Sequence, residues 1–232
     1  MEHPHRPAAS LQRLTDIAPL SGVLSLPSGP RSGAALLCFL HGHGEAQPMD
    51  AVSAMTMHGP LNPQSAVDAE GLALPFVVVA PQLPVAGDHW HVQADRIADL
   101  VQEIEARHGT DPAHRYLAGF SFGGNGVFDL AHRQPGFWSA LWSVDPTRIP
   151  EPDLTAPLWL SVGSRARLVV STSVQRLGST ELAADAVDAP DGVARVHLDQ
   201  GEDHVETAQR AFADARIYRW LLRQRREGRG SR

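Results

Sequence analysis

Lysine is absent from this chain of 232 residues, and all 20 of its basic residues are arginine. The absence excludes Schiff-base chemistry and a lysine-bound pyridoxal cofactor, because both need a primary side-chain amine. Cysteine is nearly absent too, since Cys38 is the only one, and no disulfide can form within the chain. Cys38 lies in the apolar run 34–40, a position typical of core packing.

Long apolar runs are also missing. No window approaches the ~20 apolar residues of a membrane-spanning helix, and residues 1–14 contain no apolar stretch of the kind that a secretory signal needs. The formal net charge of −6 gives no attraction to nucleic acid or to anionic membranes. We therefore expect a soluble, cytoplasmic protein that has neither nucleic acid nor a membrane as a partner.

Short apolar runs bounded by turn residues alternate with helical patterns along the chain. The hydrophobic fraction of 43% is ordinary for a globular protein and supports a sizeable core. Strands that alternate with helices predict an α/β fold, with a mostly parallel sheet and helices on both faces. We expect one domain over residues 14–224, with flexible tails at 1–13 and 225–232. The predicted strands are Gly22–Leu26 as an antiparallel edge, Ala34–Leu40, Phe76–Ala80, Arg115–Gly119, Ala140–Val144, Leu158–Val162 and Ala194–Leu198, and the predicted helices are Asp95–His108, Val127–His132 and Val205–Arg223.

Ser121 is the candidate nucleophile. It stands at the centre of a G-x-S-x-G pattern, between Gly119 and Gly123, after a predicted strand and before a predicted helix. In that context the pattern is typical of a nucleophile elbow, a sharp turn that lifts the serine side chain clear of the sheet. Small residues are needed on both sides because the strand and the helix pass too close for a Cβ.

A serine hydroxyl needs a general base and donors for the oxyanion that forms. His204 is the predicted base, because it follows the last predicted strand in the chain order serine, acid, histidine. The glycine-rich segment His41–Glu45 follows directly on a buried strand, and we expect the backbone amides of His43 and Phe122 to form the oxyanion hole. Two histidines in that segment could instead contact a metal, but no cysteine or carboxylate follows at typical ligand spacing, so we expect no metal site.

Further motifs surround these segments. Together with the elbow and the glycine-rich segment, they resemble the α/β-hydrolases, and more closely the esterases grouped with the phospholipase/carboxylesterase and predicted-peptidase families. The resemblance covers roughly residues 34–145 and extends to His204 near the C-terminus. It implies an α/β-hydrolase fold and the hydrolysis of carboxylic esters, and of some thioesters, without a cofactor. The motifs are Ala80-Pro81-Gln82, Trp90, Asp111-Pro112, Arg115-Tyr116, Gly119–Gly124, Phe128–Ala131 with Pro135, and Trp220-Leu221-Leu222.

One position departs from the family pattern. The resemblance implies a catalytic acid after the penultimate strand, in a segment like H-G-x-x-D, but Ala166 stands at that position. We expect Asp145 to replace it, because a carboxylate at the end of the preceding strand could still reach a histidine after the last strand. Asp185 or Asp188 is an alternative, and Asp203 is disfavoured because adjacent side chains in an extended segment diverge. A serine–histidine dyad without an acid also remains open.

The predicted substrate pocket combines backbone and side chains. Gly42 and Gly44 would let the backbone approach the substrate, Trp90 would form a wall, and Arg165 could bind a carboxylate or phosphate of the substrate. The predicted function is hydrolysis of a small-molecule ester or thioester by a serine esterase without a large lid. The alternatives are a thioesterase or acyltransferase, possibly cyclising, that acts on a pathway intermediate, and a non-catalytic ligand-binding protein on a hydrolase scaffold.

Overall fold

A single sheet organises the computed structural model, which describes residues 10–14, 20–27, 32–63, 65, 75–148, 154–163, 175–199, 201 and 203–226. In chain order, the described strands are β1 (Ser10–Arg13), β2 (Gly22–Leu26), β3 (Ala35–Leu40), β4 (Phe76–Pro81), β5 (Arg115–Phe120), β6 (Ala140–Val144), β7 (Leu158–Val162), β8 (Thr180–Glu181) and β9 (Arg195–Asp199). The described α-helices of seven residues or more are α1 (Ala51–Met57), α2 (Ala94–His108), α3 (Phe122–Arg133), α4 (His204–Ala213) and α5 (Ala215–Arg223).

The strands lie in the spatial order β1-β2-β4-β3-β5-β6-β7-β9-β8. The pairs β1–β2 and β2–β4 are antiparallel, and every other neighbouring pair is parallel. The prediction of a mostly parallel α/β sheet is therefore confirmed. Because β3, β5, β6, β7 and β9 run in the same direction, their carboxyl ends meet at one edge of the sheet, where sites in such folds lie.

Each face of the sheet is covered by its own helices. Along β3, Leu36, Cys38 and Leu40 belong to a buried cluster with the apolar side of α2 and α3, whereas Leu37 and Phe39 belong to a second cluster with α1, α4 and α5. Side chains alternate between the faces of a strand, so a continuous apolar run is what a strand buried on both faces requires. The burial of Cys38 raises the pKa of its thiol well above the ordinary value.

Two elements differ from the sequence-based expectation. β2 is antiparallel as expected, but β1 lies outside it, so part of the segment assigned to the N-terminal tail is the edge strand of the sheet. The predicted helix 205–223 is two helices that meet at Asp214. The Asp214 backbone is extended, and its side chain accepts a hydrogen bond from the Arg216 amide, which caps the second helix.

The C-terminal end of the described chain contacts the start of β5, at the amino ends of the parallel strands. The Tyr116 hydroxyl donates to the Gln224 carbonyl (3.0 Å), and the Arg226 amide donates to the Ala113 carbonyl (3.0 Å). The ordered contacts therefore extend past residue 224, where the sequence placed the end of the domain. Among the described helices, none has both the length and the apolar character that crossing a membrane requires.

Candidate active site

Ser121 lies at the turn between β5 and α3. Its φ of 56° and ψ of −116° fall outside the regions that non-glycine residues ordinarily adopt, and its amide donates to the Val144 carbonyl (2.9 Å). A Cβ added to Gly119 would lie 2.2 Å from the Gly123 carbonyl oxygen, and one added to Gly123 would lie 1.9 Å from the Leu40 carbonyl oxygen. Both glycines are therefore required by the close crossing of strand and helix, as a nucleophile elbow demands.

His204 is the first residue of α4, and its ring faces the loop that follows β6. Its Nδ1 atom donates a hydrogen bond to Oδ2 of Asp145, which is 2% exposed. Because Nδ1 is engaged in this hydrogen bond, Nε2 is the ring nitrogen that can accept a proton. The imidazole also packs against Phe120, with ring centroids 4.5 Å apart, so the base is held by one polar and one apolar contact.

The other carboxylates considered from the sequence have different partners or positions. Asp203 caps α4 by accepting a hydrogen bond from the Glu206 amide (2.8 Å). Asp188 pairs with Arg223 (2.8 Å), and Asp185 is exposed. Within the described part of the chain, Asp145 is the carboxylate whose hydrogen bond to His204 is seen. Ala166, the position where the family resemblance implies an acid, lies outside the described residues.

The side chain of His41 holds the glycine-rich segment in place through two hydrogen bonds to the backbone. The Nδ1 atom of His41 donates to the Gly42 carbonyl (2.6 Å), and its Nε2 atom accepts from the Leu83 amide (3.0 Å). Burial lowers the pKa of His41 to about 4, and the hydrogen bond to Gly42 opposes this effect. Neutral imidazole is the form that can accept from Leu83, so both ring nitrogens are engaged by backbone groups.

Trp90 lies behind this segment rather than in front of it. Its side chain is completely buried, and its indole nitrogen donates to the His41 carbonyl (3.1 Å). A Cβ added to Gly126 would lie 2.6 Å from Trp90 Cβ, so the indole is wedged between the segment and α3. The predicted role of Trp90 as a pocket wall does not match this position, because aromatic character alone does not tell which side of a loop a ring covers.

The two residues whose amides are expected to bind an oxyanion, His43 and Phe122, lie next to each other beside Ser121. Phe122 begins α3, so its amide has no acceptor within the helix. Gly42 lies directly beside Ser121, since a Cβ added there would lie 3.4 Å from Ser121 Cβ. The His43 ring packs edge-on against Phe122, with centroids 5.5 Å apart, which brings the two predicted donor residues together.

A cleft of about 560 Å³ opens above Ser121. Gly44 is among the residues that line it, whereas Arg165 lies outside the described residues. Within the described residues, no group of three or more histidine, cysteine, aspartate or glutamate side chains could hold a metal ion. The cleft is lined by His43, Gly44, Glu45, Met49, Met57, His58, Phe120, Ser121, Phe122, His204 and Val205.

Two ionisable residues of the cleft, Glu45 and His58, were given no catalytic role from the sequence. Glu45 is only 4% exposed; burial raises the pKa of its carboxyl group, opposed by its own amide, the Gly44 amide, His204 and His43. Burial, and to a smaller degree the charge of His204, lowers the pKa of His58. Glu45 stands within the glycine-rich motif, but only the folded chain shows that its side chain turns back toward Gly42.

Comparison with known proteins gives similarity in structure only. No protein-family model matches the sequence, and no curated protein matches it. Two of the structures reported below are longer than this chain, which spans 63% of one and 43% of the other. All three are 14% identical to it or less.

One similar structure is a thermostable esterase (TM-score 0.62, 14% identity, 94% of this chain and 63% of that chain). A second is a mutant of the feruloyl esterase module from Clostridium thermocellum complexed with sinapinate (0.63, 13%, 98% and 93%). A third is the acylaminoacyl peptidase from Pyrococcus horikoshii (0.55, 11%, 97% and 43%). At this level of identity the similarity shows the fold, and with the sheet order described above it establishes that this chain has the α/β-hydrolase fold.

Proposed function

We propose that the protein is a serine hydrolase that cleaves a carboxylic ester through an acyl-enzyme intermediate. The observation that carries the proposal is the hydrogen bond between His204 and the buried Asp145, beside a serine in a strained elbow. A serine, a histidine and an orienting carboxylate are the three groups that acyl transfer needs. A similar fold in two proteins described as esterases supports an ester as the substrate.

In the first half of the reaction, Ser121 Oγ attacks the acyl carbon and its proton passes to His204 Nε2. Asp145 keeps the imidazole oriented and stabilises the imidazolium that forms. The negative charge on the carbonyl oxygen is met by the amides of His43 and Phe122. When the bond to the leaving alcohol breaks, the alcohol oxygen takes the proton from His204.

Water completes the cycle. His204 removes a proton from a water molecule that attacks the acyl-enzyme, and the collapse of the second tetrahedral intermediate returns that proton to Ser121 and releases the carboxylic acid. The alternative of a non-catalytic binding protein was suggested by Ala166, which stands where the family resemblance implies an acid. Because Asp145 offers His204 a carboxylate from another strand, that argument for a binding protein is weaker.

The test is hydrolysis of p-nitrophenyl acetate and butyrate. We expect Ser121→Ala and His204→Ala to abolish activity, and Asp145→Asn to lower kcat by about 10⁴-fold. Ser53→Ala, on the exposed side of α1, is the matched control and should retain full activity. Circular dichroism would establish that each variant is folded.

An organophosphonate ester that labels Ser121 would provide an independent measure of nucleophilicity. A wild type that neither hydrolyses these esters nor takes the label would refute the proposed function and favour a binding role. Thioesters with the same acyl groups distinguish an esterase from the thioesterase or acyltransferase alternative. A higher kcat/KM for the thioester, or acyl transfer to an added alcohol in preference to water, would replace the ester assignment.

A further inference from the structure

The loop that carries Asp145 has an unusual backbone. Asp145 has a φ of 42°, in the left-handed region that non-glycine residues rarely adopt, and its amide donates to the Ser161 carbonyl (2.8 Å). Such a conformation persists where the surrounding structure fixes it. The Oδ1 atom of Asp145 is buried and has no hydrogen-bond partner among the described residues. The carboxylate is therefore placed by its backbone and by its bond to His204.

Asn125, on the first turn of α3, binds Thr147 and Arg148 of that loop. Its Oδ1 atom accepts from the amides of Thr147 (2.9 Å) and Arg148 (3.3 Å). Its Nδ2 atom donates to Thr147 Oγ1 (2.8 Å) and to Asp88 Oδ2 (3.1 Å). Asn125 is fully buried, and these four bonds use both donors and both lone pairs of its amide group.

Arg148 fastens the same loop from the outside. Its guanidinium binds Asp88 (3.0 Å) and Asp129 (2.5 Å), and Asp129 lies on α3. The loop is thus bound to α3, the helix that follows Ser121, by both an amide and an ion pair. Gly124 allows this close approach, because a Cβ added there would lie 3.1 Å from the Val144 carbonyl oxygen and 3.2 Å from Pro146 Cα.

We propose that Asn125 is a positioning residue, which docks the 145–148 loop on the first turn of the nucleophile helix and thereby aims the Asp145 carboxylate at His204. Arg148 assists from the surface. The inference rests on the proposed function, since it takes Asp145 to be the acid of the triad. Asn125 does not contact the reacting atoms, so its effect on the reaction passes through Asp145.

A double-mutant cycle tests this coupling. We expect Asn125→Ala to lower kcat for p-nitrophenyl acetate by about 10- to 100-fold, with KM changed by less than about 2-fold, because small misplacements of catalytic groups are costly. In the Asp145→Asn background the same change should cost less than about 2-fold, since the group that it positions is already disabled. An equal loss in both backgrounds would overturn the proposal.

Arg148→Gln gives the same test at a site that is 42% exposed and carries little risk of misfolding. We expect a loss in kcat of about 3- to 10-fold that disappears in the Asp145→Asn background. Arg107→Gln is the matched control, because Arg107 forms an exposed ion pair with Glu103 on α2 and should leave kcat unchanged. A loss of the same size in both backgrounds would contradict the proposed route through Asp145.

A spectroscopic readout separates this inference from the proposed function. The Nδ1 proton that His204 shares with Asp145 should give a far-downfield proton NMR resonance that is absent in Asp145→Asn. We expect Asn125→Ala to weaken or remove that resonance while the circular dichroism spectrum is retained. An unchanged resonance in the variant, or none in the wild type, would overturn the positioning role whether or not the protein hydrolyses esters.

Discussion

At the scale of single residues, His41 links the stability of the fold to pH. Its imidazole is 1% exposed, and its neutral form is required to accept the hydrogen bond from Leu83. The side chain lies directly before Gly42, so its protonation state also bears on the backbone beside Ser121. A histidine that is buried and neutral in the folded protein takes up a proton when the protein unfolds in acid, so a falling pH favours the unfolded state.

The prediction for His41 concerns the free energy of unfolding. Its pKa is about 4 in the folded protein and 6.5 in the reference state, so between these values the unfolded chain binds more protons. The contribution of His41 to stability is therefore fully present above pH 6.5 and is lost as the pH falls toward 4. This loss lowers the free energy of unfolding by about 3 kcal/mol. Urea unfolding at a series of pH values would measure this loss.

His41→Gln is the comparison for that measurement, because an amide can still accept from Leu83 but does not titrate in this range. The variant should lack the part of the acid loss that comes from His41, whereas His43→Gln, at an exposed position, should retain it. Parallel pH dependences for the wild type and His41→Gln would show that the imidazole is not the source.

At the scale of elements, the end of β3 and the start of α3 are in direct contact at Gly123. A methyl group there would lie 1.9 Å from the Leu40 carbonyl oxygen and 2.7 Å from that of His41, and backbone atoms cannot move aside as a flexible side chain can. We expect Gly123→Ala to lower the free energy of unfolding by about 3 kcal/mol, as overpacking at a rigid position does.

Urea denaturation would measure that change, and Gly44→Ala is its matched control. A Cβ at Gly44 meets no atom within 4 Å, so we expect its stability to stay within about 0.5 kcal/mol of the wild type. Equal stabilities for the two alanine variants would mean that β3 and α3 can separate at little cost.

The sequence predicts elements well where one physical requirement dominates. β3 and β5 to β7 are largely apolar because both of their faces are buried, and the elbow follows from two glycines and a serine in a fixed context. The proximity of Asp145 to His204 was predictable for a similar reason, since parallel strands bring their carboxyl ends to one edge.

Other features depend on contacts that no local pattern contains. Trp90 could cover either side of the glycine-rich segment, and only its hydrogen bond to His41 selects the buried side. The helical periodicity runs through Asp214, although that residue separates α4 from α5. Asn125 stands in the elbow motif as an ordinary helical residue, because its hydrogen-bond partners Thr147, Arg148 and Asp88 lie 22, 23 and 37 residues away in the chain.

At the scale of the whole molecule, the end of the described chain contacts the start of β5, which is the end of that strand farther from Ser121. A chain that ends at Arg223 loses the bonds from Tyr116 to Gln224 and from Arg226 to Ala113 and Gly136. We expect it to be about 2 kcal/mol less stable than a chain that ends at Arg226, because a hydrogen bond contributes roughly 1 kcal/mol. Urea midpoints of the two proteins would measure the difference.

The variant Tyr116→Phe measures the contribution of one of these three hydrogen bonds. It removes the bond to Gln224 alone, so in the longer chain it should cost about 1 kcal/mol, and in the chain that ends at Arg223 it should cost less. If the two chains unfold at the same urea concentration, residues 224–226 lie on the surface without stabilising it.

The position of Asp145, the proposed acid, after β6 has a consequence for how this protein could be diversified. β5 and β6 are paired residue by residue up to Phe120 and Val144, so Ser121 and Asp145 follow adjacent, directly registered strands. In the proposed mechanism Ser121, His204 and Asp145 are the catalytic groups, so the connection between β7 and β9 is not required to supply one. Insertions and random libraries could therefore be directed to that connection to graft new selectivity, while the reactive groups keep their spacing.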